Sequence, residues 1–413
     1  MRLTRRRFIT TSGALLGVPS FQRASQMPQA SAPERQTLFS GGEGDYALYR
    51  IPGIVVTRRG SVLAYCEGRR ESHSDWGTID LLLRRSTDNG RRWDLARRIA
   101  AVDGPVTRNP VAVERKQGRP DDVTYNNPIA IADRKTGAVH FVFCLEYGRA
   151  FYQRSDDDGI TFSRPVEITS AFEALRSRYH WRIIATGPGH GIQLANGRLL
   201  VPVWLSLGLT GNGHAPSVVS VIFSDDHGHT WQAGEIIGLD SPDLINPSET
   251  VAVQLNDGRT MLNLRNTSKS NRRAITFSRD GATGWSPPVF DDQLPEPICM
   301  GSIIRFSSKP SRILFANPDN LTRADGRETP GAGRDRRNLS VRLSLDEGRT
   351  WPIIKSLEPG ASGYSDLAIA RDRSILCFYE SHSPQRPEAA SAQLVLARFG
   401  LNWLINGKDQ PGR

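Results

Sequence analysis

Ser86-Thr87-Asp88-Asn89-Gly90-Arg91-Arg92-Trp93 is the stretch whose reading decides the fold. An Asp at the head of a turn can accept hydrogen bonds from the backbone N–H groups that follow it. The Gly supplies the positive φ that a tight hairpin turn requires. The aromatic can hold the turn down on an apolar layer. The pattern returns as Ser155-Asp156-Asp157-Asp158-Gly159-Ile160-Thr161-Phe162, as Ser224-Asp225-Asp226-His227-Gly228-His229-Thr230-Trp231 and as Ser344-Leu345-Asp346-Glu347-Gly348-Arg349-Thr350-Trp351. A degenerate copy, Ser278-Arg279-Asp280-Gly281-Ala282-Thr283-Gly284-Trp285, has lost the spacing, so an irregular module is expected there. Successive copies begin 69, 69, 54 and 66 residues apart. A single copy is an ordinary hairpin turn, but a series at this period marks a repeated structural unit.

The segments outside these boxes read as strands. Val139-His140-Phe141-Val142-Phe143-Cys144-Leu145 precedes the second box, and Ser217-Val218-Val219-Ser220-Val221-Ile222-Phe223 the third. Asn196-Gly197-Arg198 and Asp257-Gly258-Arg259 are further hairpin signals. The one helix candidate is short, over residues 171–178. The period suits a β-propeller with four-stranded antiparallel blades, and six of them fit within the chain. The expectation is therefore an all-β, six-bladed propeller over residues 37–400, preceded by an export segment and followed by a tail over 401–413.

Composition agrees. Gly (38) and Pro (26) are plentiful among 413 residues, as many short strands and turns require. The formal charge of +10 is partly local: Arg2, Arg5, Arg6, Arg7 and Arg23 lie within residues 1–32, which hold no acid. The remainder carries no dense basic run, so nucleic-acid binding is not expected. Thr4-Arg5-Arg6-Arg7-Phe8-Ile9-Thr10 followed by Ala14-Leu15-Leu16-Gly17-Val18 is a twin-arginine export pattern, with Ala30-Ser31-Ala32 as a small-residue cleavage site. Its apolar run is too short to span a bilayer. A periplasmic or extracellular location follows as an expectation. The four cysteines, Cys66, Cys144, Cys299 and Cys377, form no zinc-like spacing. They read as buried thiols, with disulfides the alternative that export allows.

Chemistry should reside in residues that break the strand pattern. Arg50, Arg265 and Arg342 lie in or beside apolar strands. Each alone is an arginine that snorkels or pairs with an acid. Converging, they would offer planar forks matched to a carboxylate. Glu249 stands at the mouth of an apolar strand, Tyr364 in a Gly-flanked loop, and Asp75 in Ser74-Asp75-Trp76-Gly77. By default these are a solvated acid, a packing aromatic and a loop acid.

The Tyr49-Arg50-Ile51-Pro52 opening, the Asp 25 residues after that arginine, the boxes, Gly187-Pro188-Gly189-His190-Gly191-Ile192-Gln193-Leu194, the Glu249 segment leading to Asn263-Leu264-Arg265-Asn266, and Tyr364-Ser365-Asp366-Leu367 together resemble the exo-α-sialidases (neuraminidases) of bacterial and animal type. The resemblance implies a six-bladed propeller that hydrolyses terminal α-linked sialic acids of glycans or gangliosides with retention of configuration. It implies that Arg50, Arg265 and Arg342 clamp the sugar carboxylate, with Arg69 nearby. Tyr364 would be the nucleophile, Glu249 its base and Asp75 the general acid/base. A neutral phenol avoids the repulsion that a carboxylate nucleophile would meet beside the substrate's own carboxylate. It titrates near ~10, so it needs a base. Asp75 should begin protonated, its pKa raised by a partly dry pocket. Asn126, Asn127 and Trp76 are candidates for the N-acyl pocket, and His190 and Gln193 lie in a family-like stretch. No cofactor, metal or membrane span is implied, no calcium-binding loop is legible, and a monomer is expected. A non-catalytic sialoside-binding propeller, a hydrolase of a related ulosonic acid, and a trans-sialidase are the competing readings.

Overall fold

The computed structural model describes residues 31–71, 74–381 and 393–405. The export segment expected over residues 1–32 lies almost wholly outside them. The described chain is dominated by antiparallel strands that fall into six consecutive four-stranded groups.

The first group is Leu48–Val56, Val62–Arg69, Ile79–Ser86 and the short outer Arg97–Arg98. The second is Tyr125–Ala132, Val139–Leu145, Arg149–Ser155 and Val166–Glu167, with Gly189–His190 added in parallel to its inner edge. The third is Ile183–Thr186, Leu199–Thr210, Ala215–Ser224 and Gln232–Ala233. The fourth is Thr250–Gln254, Thr260–Leu264, Arg272–Ser278 and Val289–Pro295. The fifth and sixth share the 17-residue strand Ile353–Ile369, which pairs with Arg337–Ser344 through its first half and with Ile375–Ser381 through its second. The last group is completed by Glu34–Ser40, which pairs antiparallel with Gln393–Phe399 and so ties the two ends of the described chain together.

Each box Ser is the last residue of the third strand in its group. The predicted bonding is present. Ser224 Oγ donates to Asp226 Oδ1 (2.8 Å) and accepts from Gly228 N (2.8 Å), while Thr230 N donates to Asp226 Oδ1 (2.9 Å). In the four full copies the residue before Gly also has positive φ: Asn89, Asp158, His227 and Glu347 lie between 58° and 69°. The degenerate copy is also eight residues long, but its Gly follows the Asp directly. Gly281 occupies the position before the usual Gly, and its N–H reaches Ser278 Oγ at 3.0 Å. Asp280 still accepts from Ala282 N and Thr283 N, both at 2.8 Å. The irregular module expected there is therefore a complete four-stranded sheet, because the turn absorbs the one-residue shift of its Gly.

Successive groups pack against one another in chain order, Leu48–Val56 on Tyr125–Ala132, this on Ile183–Thr186, Leu199–Thr210 on Thr250–Gln254, and so to Ser302–Ser307 and Ile353–Ile369, which in turn packs on Leu48–Val56. The buried Asp366 joins several of them, accepting from Ile54 N (2.8 Å) and Ser302 Oγ (2.9 Å) and pairing with His190 Nδ1 (2.7 Å). The expected helix appears as Ser170–Arg176; a second, Pro110–Glu114, carries an Asn109 N-cap that the strand reading passed over. The expected C-terminal tail begins instead as the helix Leu401–Ile405. Its Leu404 and Ile405 are buried in the core of the last groups, because an apolar Leu-x-x-Leu-Ile face must be covered. All four cysteines are buried free thiols. No helix of the described residues is long and apolar enough to cross a membrane.

Candidate active site

Three β-bulges prepare one end of the fold. Pairing slips between Arg50 and Gly53, between Asn126 and Ile129, and between Ser362 and Ser365. A bulge re-aims the side chains beside it. At the first, Ile51 is held at φ 58°, which a β-branched residue adopts only under constraint. The constraint is Glu380, which is 1% exposed: its carboxylate accepts from Ile51 N (3.2 Å), Tyr364 N (3.0 Å) and Arg50 Nε (3.1 Å). The Arg-Ile-Pro motif thus works as a bent strand locked by an acid 330 residues away.

Tyr364 lies beside it, 4% exposed. Its hydroxyl donates to Glu249 Oε1 (2.6 Å) and accepts from Arg265 Nη1 (2.6 Å). Glu249 and Arg265 flank the two strands of one hairpin, where Arg265 N donates to Glu249 O (3.2 Å), and their side chains are directly paired. Burial raises the Tyr364 phenol far above its ordinary value; Arg265 opposes this and Glu249 reinforces it. The free site therefore holds the phenol protonated, with a carboxylate positioned to take the proton.

Three guanidinium groups surround this ring: Arg50 Cζ at 5.1 Å, Arg265 Cζ at 5.9 Å and Arg336 Cζ at 5.2 Å from its centroid. Arg342, the expected third member, is elsewhere. It pairs with Asp319 Oδ1 (2.8 Å) and Asn317 Oδ1 (3.2 Å) within its own group. The correction follows from strand length. Arg336 precedes the strand Arg337–Ser344, whereas Arg342 is two residues from the box Ser at its other end. Six residues of extended chain separate them by roughly 20 Å.

Asp75 joins this group through Arg50. Its Oδ1 lies 2.9 Å from Arg69 Nη1 and 3.7 Å from Arg50 Nη1. Arg69 is itself fixed by the buried Glu67 (2.7 Å). The expectation of a raised Asp75 pKa is wrong for the free site. Burial does push it up, but Arg69, His214 and Arg50 together outweigh burial and hold the carboxyl well below the usual range. Glu67 goes the other way: burial raises its pKa despite Arg69 and the Asn127 N–H.

A family model described as a BNR repeat-like domain matches residues 62–377. Over 399 residues the chain is 30% identical to a sialidase of Micromonospora viridifaciens, across 90% of this chain and 54% of that protein. It is 28% identical over 406 residues to an exo-alpha-sialidase of Arthroderma benhamiae, across 92% and 89%. The chain belongs to the sialidase family, a family of glycoside hydrolases. It thus spans about half the length of the first of these relatives and most of the second. Among solved structures, the Hadza microbial sialidase Hz136 matches with a TM-score of 0.70 at 25% identity, over 90% of this chain and 69% of that one.

The remaining sialidase candidates have structural placements. Asn126 is buried and accepts from Tyr147 N (3.2 Å), and Asn127 N donates to Glu67 Oε1 (2.9 Å), bracing the partner of Arg69. Trp76 is fully buried beside Tyr147 and Trp204, with its indole N–H donating to Asn212 O (2.7 Å). His190 pairs with Asp366, and Gln193 bonds the turn at Asp133 (2.7 Å). Beside Glu249 and Arg265 a hollow of about 180 Å³ is lined also by Trp204, Asn212, His214 and Asn246. A larger cavity of about 550 Å³ lies among inner strands towards the box end; His190 and Gln193 line it, but none of Arg50, Asp75, Glu249, Arg265, Arg336 and Tyr364 does. Sequence reading missed Arg336, Glu380, Asn212 and His214. Arg336 sits in Arg334-Asp335-Arg336-Arg337, where its distance from the following box was the usable signal. Glu380 ends the apolar run Ile375-Leu376-Cys377-Phe378-Tyr379, a buried acid that signals a paired charge.

Proposed function

We propose that this chain is an exo-α-sialidase that hydrolyses terminal α-linked sialic acids with retention of configuration, on a closed six-bladed propeller. The observation that carries the reading is the hydrogen-bonded Tyr364–Glu249–Arg265 group beneath Arg50 and Arg336, with Asp75 alongside. The closed propeller is supported by the six strand groups, their successive packing and the pairing of Glu34–Ser40 with Gln393–Phe399.

Arg50, Arg265 and Arg336 receive the substrate carboxylate as charge-assisted forks. Glu249 draws the proton from Tyr364, whose oxygen forms a bond to the anomeric carbon as the glycosidic bond breaks. Asp75 supplies a proton to the leaving oxygen, then takes one from water when the Tyr364 intermediate is opened. A Tyr nucleophile sets sialidases apart from the usual two-carboxylate scheme. Glu380 and Glu67 hold Arg50 and Arg69 in place. The twin-arginine segment supports export. The test is release of fluorophore from an aryl α-sialoside by the purified chain, with NMR of the first-formed anomer. No release sinks the reading, and a β first product sinks retention.

A further inference from the structure

The two carboxylate oxygens of Asp75 have different neighbours. Oδ1 faces cations, Arg69 Nη1 at 2.9 Å and Arg50 Nη1 at 3.7 Å. Oδ2 accepts from the side-chain amide of Asn212 at 3.2 Å. A guanidinium carries no acceptor, so a proton on the oxygen turned to it would have nowhere to go. Oδ2 is the oxygen left to hand a proton to a leaving group, and a neutral amide bonds it there. Asn212 is exposed, and the Asp75 side chain is 25% exposed, so this oxygen is open to an incoming sugar.

The amide comes from another strand group. Asp75 follows Val62–Arg69 of the first group, whereas residues 211–214 join Leu199–Thr210 to Ala215–Ser224 of the third. Contacts that do not involve the amide fix this hairpin. The fully buried Trp76 donates its indole N–H to Asn212 O (2.7 Å), and Ser206 Oγ donates to Gly213 O (2.9 Å). Gly208 and Gly213 have φ of 71° and 94°, and a Cβ on either would lie 2.8 Å from a methyl of Val111. Val111 stands on the helix Pro110–Glu114, whose cap Asn109 accepts from Val111 N (2.8 Å); just beyond the helix, Arg115 Nε donates to Gly208 O (2.7 Å). The helix therefore seats the hairpin, and the hairpin carries Asn212 to the acid. The amide nitrogen also lies 3.2 Å from His214 Nδ1, so two acceptors on one side decide which way the carboxamide faces.

We propose that Asn212 is a positioning residue for Asp75: its amide holds Oδ2 directed at the leaving oxygen, so that proton transfer by the first strand group depends on a hairpin of the third. This rests on the sialidase reading. Asp75 is the group that touches the substrate, and Asn212 acts through it. A protonated Oδ2 keeps a lone pair that still accepts from the amide, so the same bond serves before and after the proton is given up. Protonation of the leaving oxygen matters most where the departing group is a poor one, so the loss of Asn212 should be felt according to the leaving group.

The test compares wild type, Asn212→Ala and Asn212→Gln on 3′-sialyllactose, a poor leaving group, and on 4-nitrophenyl α-sialoside, a good one. The alanine variant keeps the backbone carbonyl that Trp76 uses. Its kcat/KM for sialyllactose should fall about tenfold or more, with the nitrophenyl substrate less affected. Asn212→Gln, which keeps the carboxamide, should recover part of that loss. Equal losses on both substrates, or no loss on sialyllactose, overturn the proposal. A crystal structure of Asn212→Ala reads the positioning without reference to activity: Asp75 Oδ2 should leave its place, and a carboxylate that superposes on the wild type overturns the proposal. A wild type inactive on both substrates, with the Asp75 displacement present in the variant, sinks the sialidase reading instead.

Discussion

The two ends of the fold satisfy their carboxylates in opposite ways. At the box end each Asp is served by its own turn: Asp346 accepts from Thr350 N (2.9 Å), Thr350 Oγ1 (2.6 Å) and Ser344 Oγ (2.8 Å), all within four residues. At the site end two of the carboxylates reach remote partners: Glu249 lies 115 residues from Tyr364, and Glu380 lies 330 from Arg50. Local satisfaction yields a turn that repeats wherever its residues repeat. Remote satisfaction yields charges that exist in this arrangement only when the distant strand groups are assembled. The first builds scaffold, and the second concentrates cations around an ionisable phenol.

The sharpest way to break this contrast is Tyr364→Phe. It removes the nucleophilic oxygen and leaves every box intact. Turnover of an aryl α-sialoside should fall by about four orders of magnitude or more, while the melting temperature stays near that of the wild type. Turnover within tenfold of wild type would show that the site end does not do the chemistry.

Next in size is a paired comparison along one strand. Arg336→Ala removes one fork from the anion site, and kcat/KM should fall about a hundredfold, the equivalent of roughly 2–3 kcal/mol. Arg342→Ala, two residues from the box Ser, should leave kcat/KM within a few fold. It should instead cost about 2 kcal/mol of stability, because Asn317 and Asp319 lose a buried partner. Chemical denaturation and steady-state kinetics on the two variants separate the effects. If Arg342→Ala carries the kinetic defect, the assignment of the third arginine reverts.

This pair also shows how far the sequence could be read. The boxes were legible because a hairpin turn states its own requirements within eight residues, and their period gave the strand groups between them. Asp75, Glu249, Arg265 and Tyr364 were legible because each interrupts a strand or Gly-rich loop in an order matching a known family. Arg336 was not. On sequence alone, Arg336 and Arg342 are two arginines at the edges of one short strand, told apart by their distance from the following box, and the pairing of Arg337–Ser344 with its neighbours places Arg336 at the site end. The protonation of Asp75 was misjudged for a similar reason. A loop acid in a dry pocket should be neutral, but Arg69, brought there by Glu67, decides the balance.

A smaller effect tests the box end by itself. Asp346→Ala leaves Thr350 N and the Ser344 hydroxyl without their acceptor, at a cost of about 1 kcal/mol. Activity should be unchanged at 25 °C. A kinetic defect without a stability loss would mean that the boxes communicate with the site, and the division of labour would fail.

The smallest effect is in the acid dependence of stability. Asp157 and Asp226 are held at about 2: burial pushes them up, but Thr161 and Thr230 donors and the box Ser hydroxyls outweigh it. Their unfolded value is about 3.9. A depressed folded pKa contributes stability that is fully present above the unfolded value and is lost as pH falls through the folded one. The boxes should therefore weaken the fold between about pH 4 and pH 2. Glu67 has the opposite sign. Its folded pKa is raised, so its burial costs stability at neutral pH, and that cost is relieved as it takes up a proton above the unfolded value. Asp226→Asn should flatten the acid slope of the melting temperature below pH 4, whereas Glu67→Gln should change it above pH 4. An Asp226→Asn slope that overlays the wild type would place the acid-sensitive charges at the site end rather than in the turns.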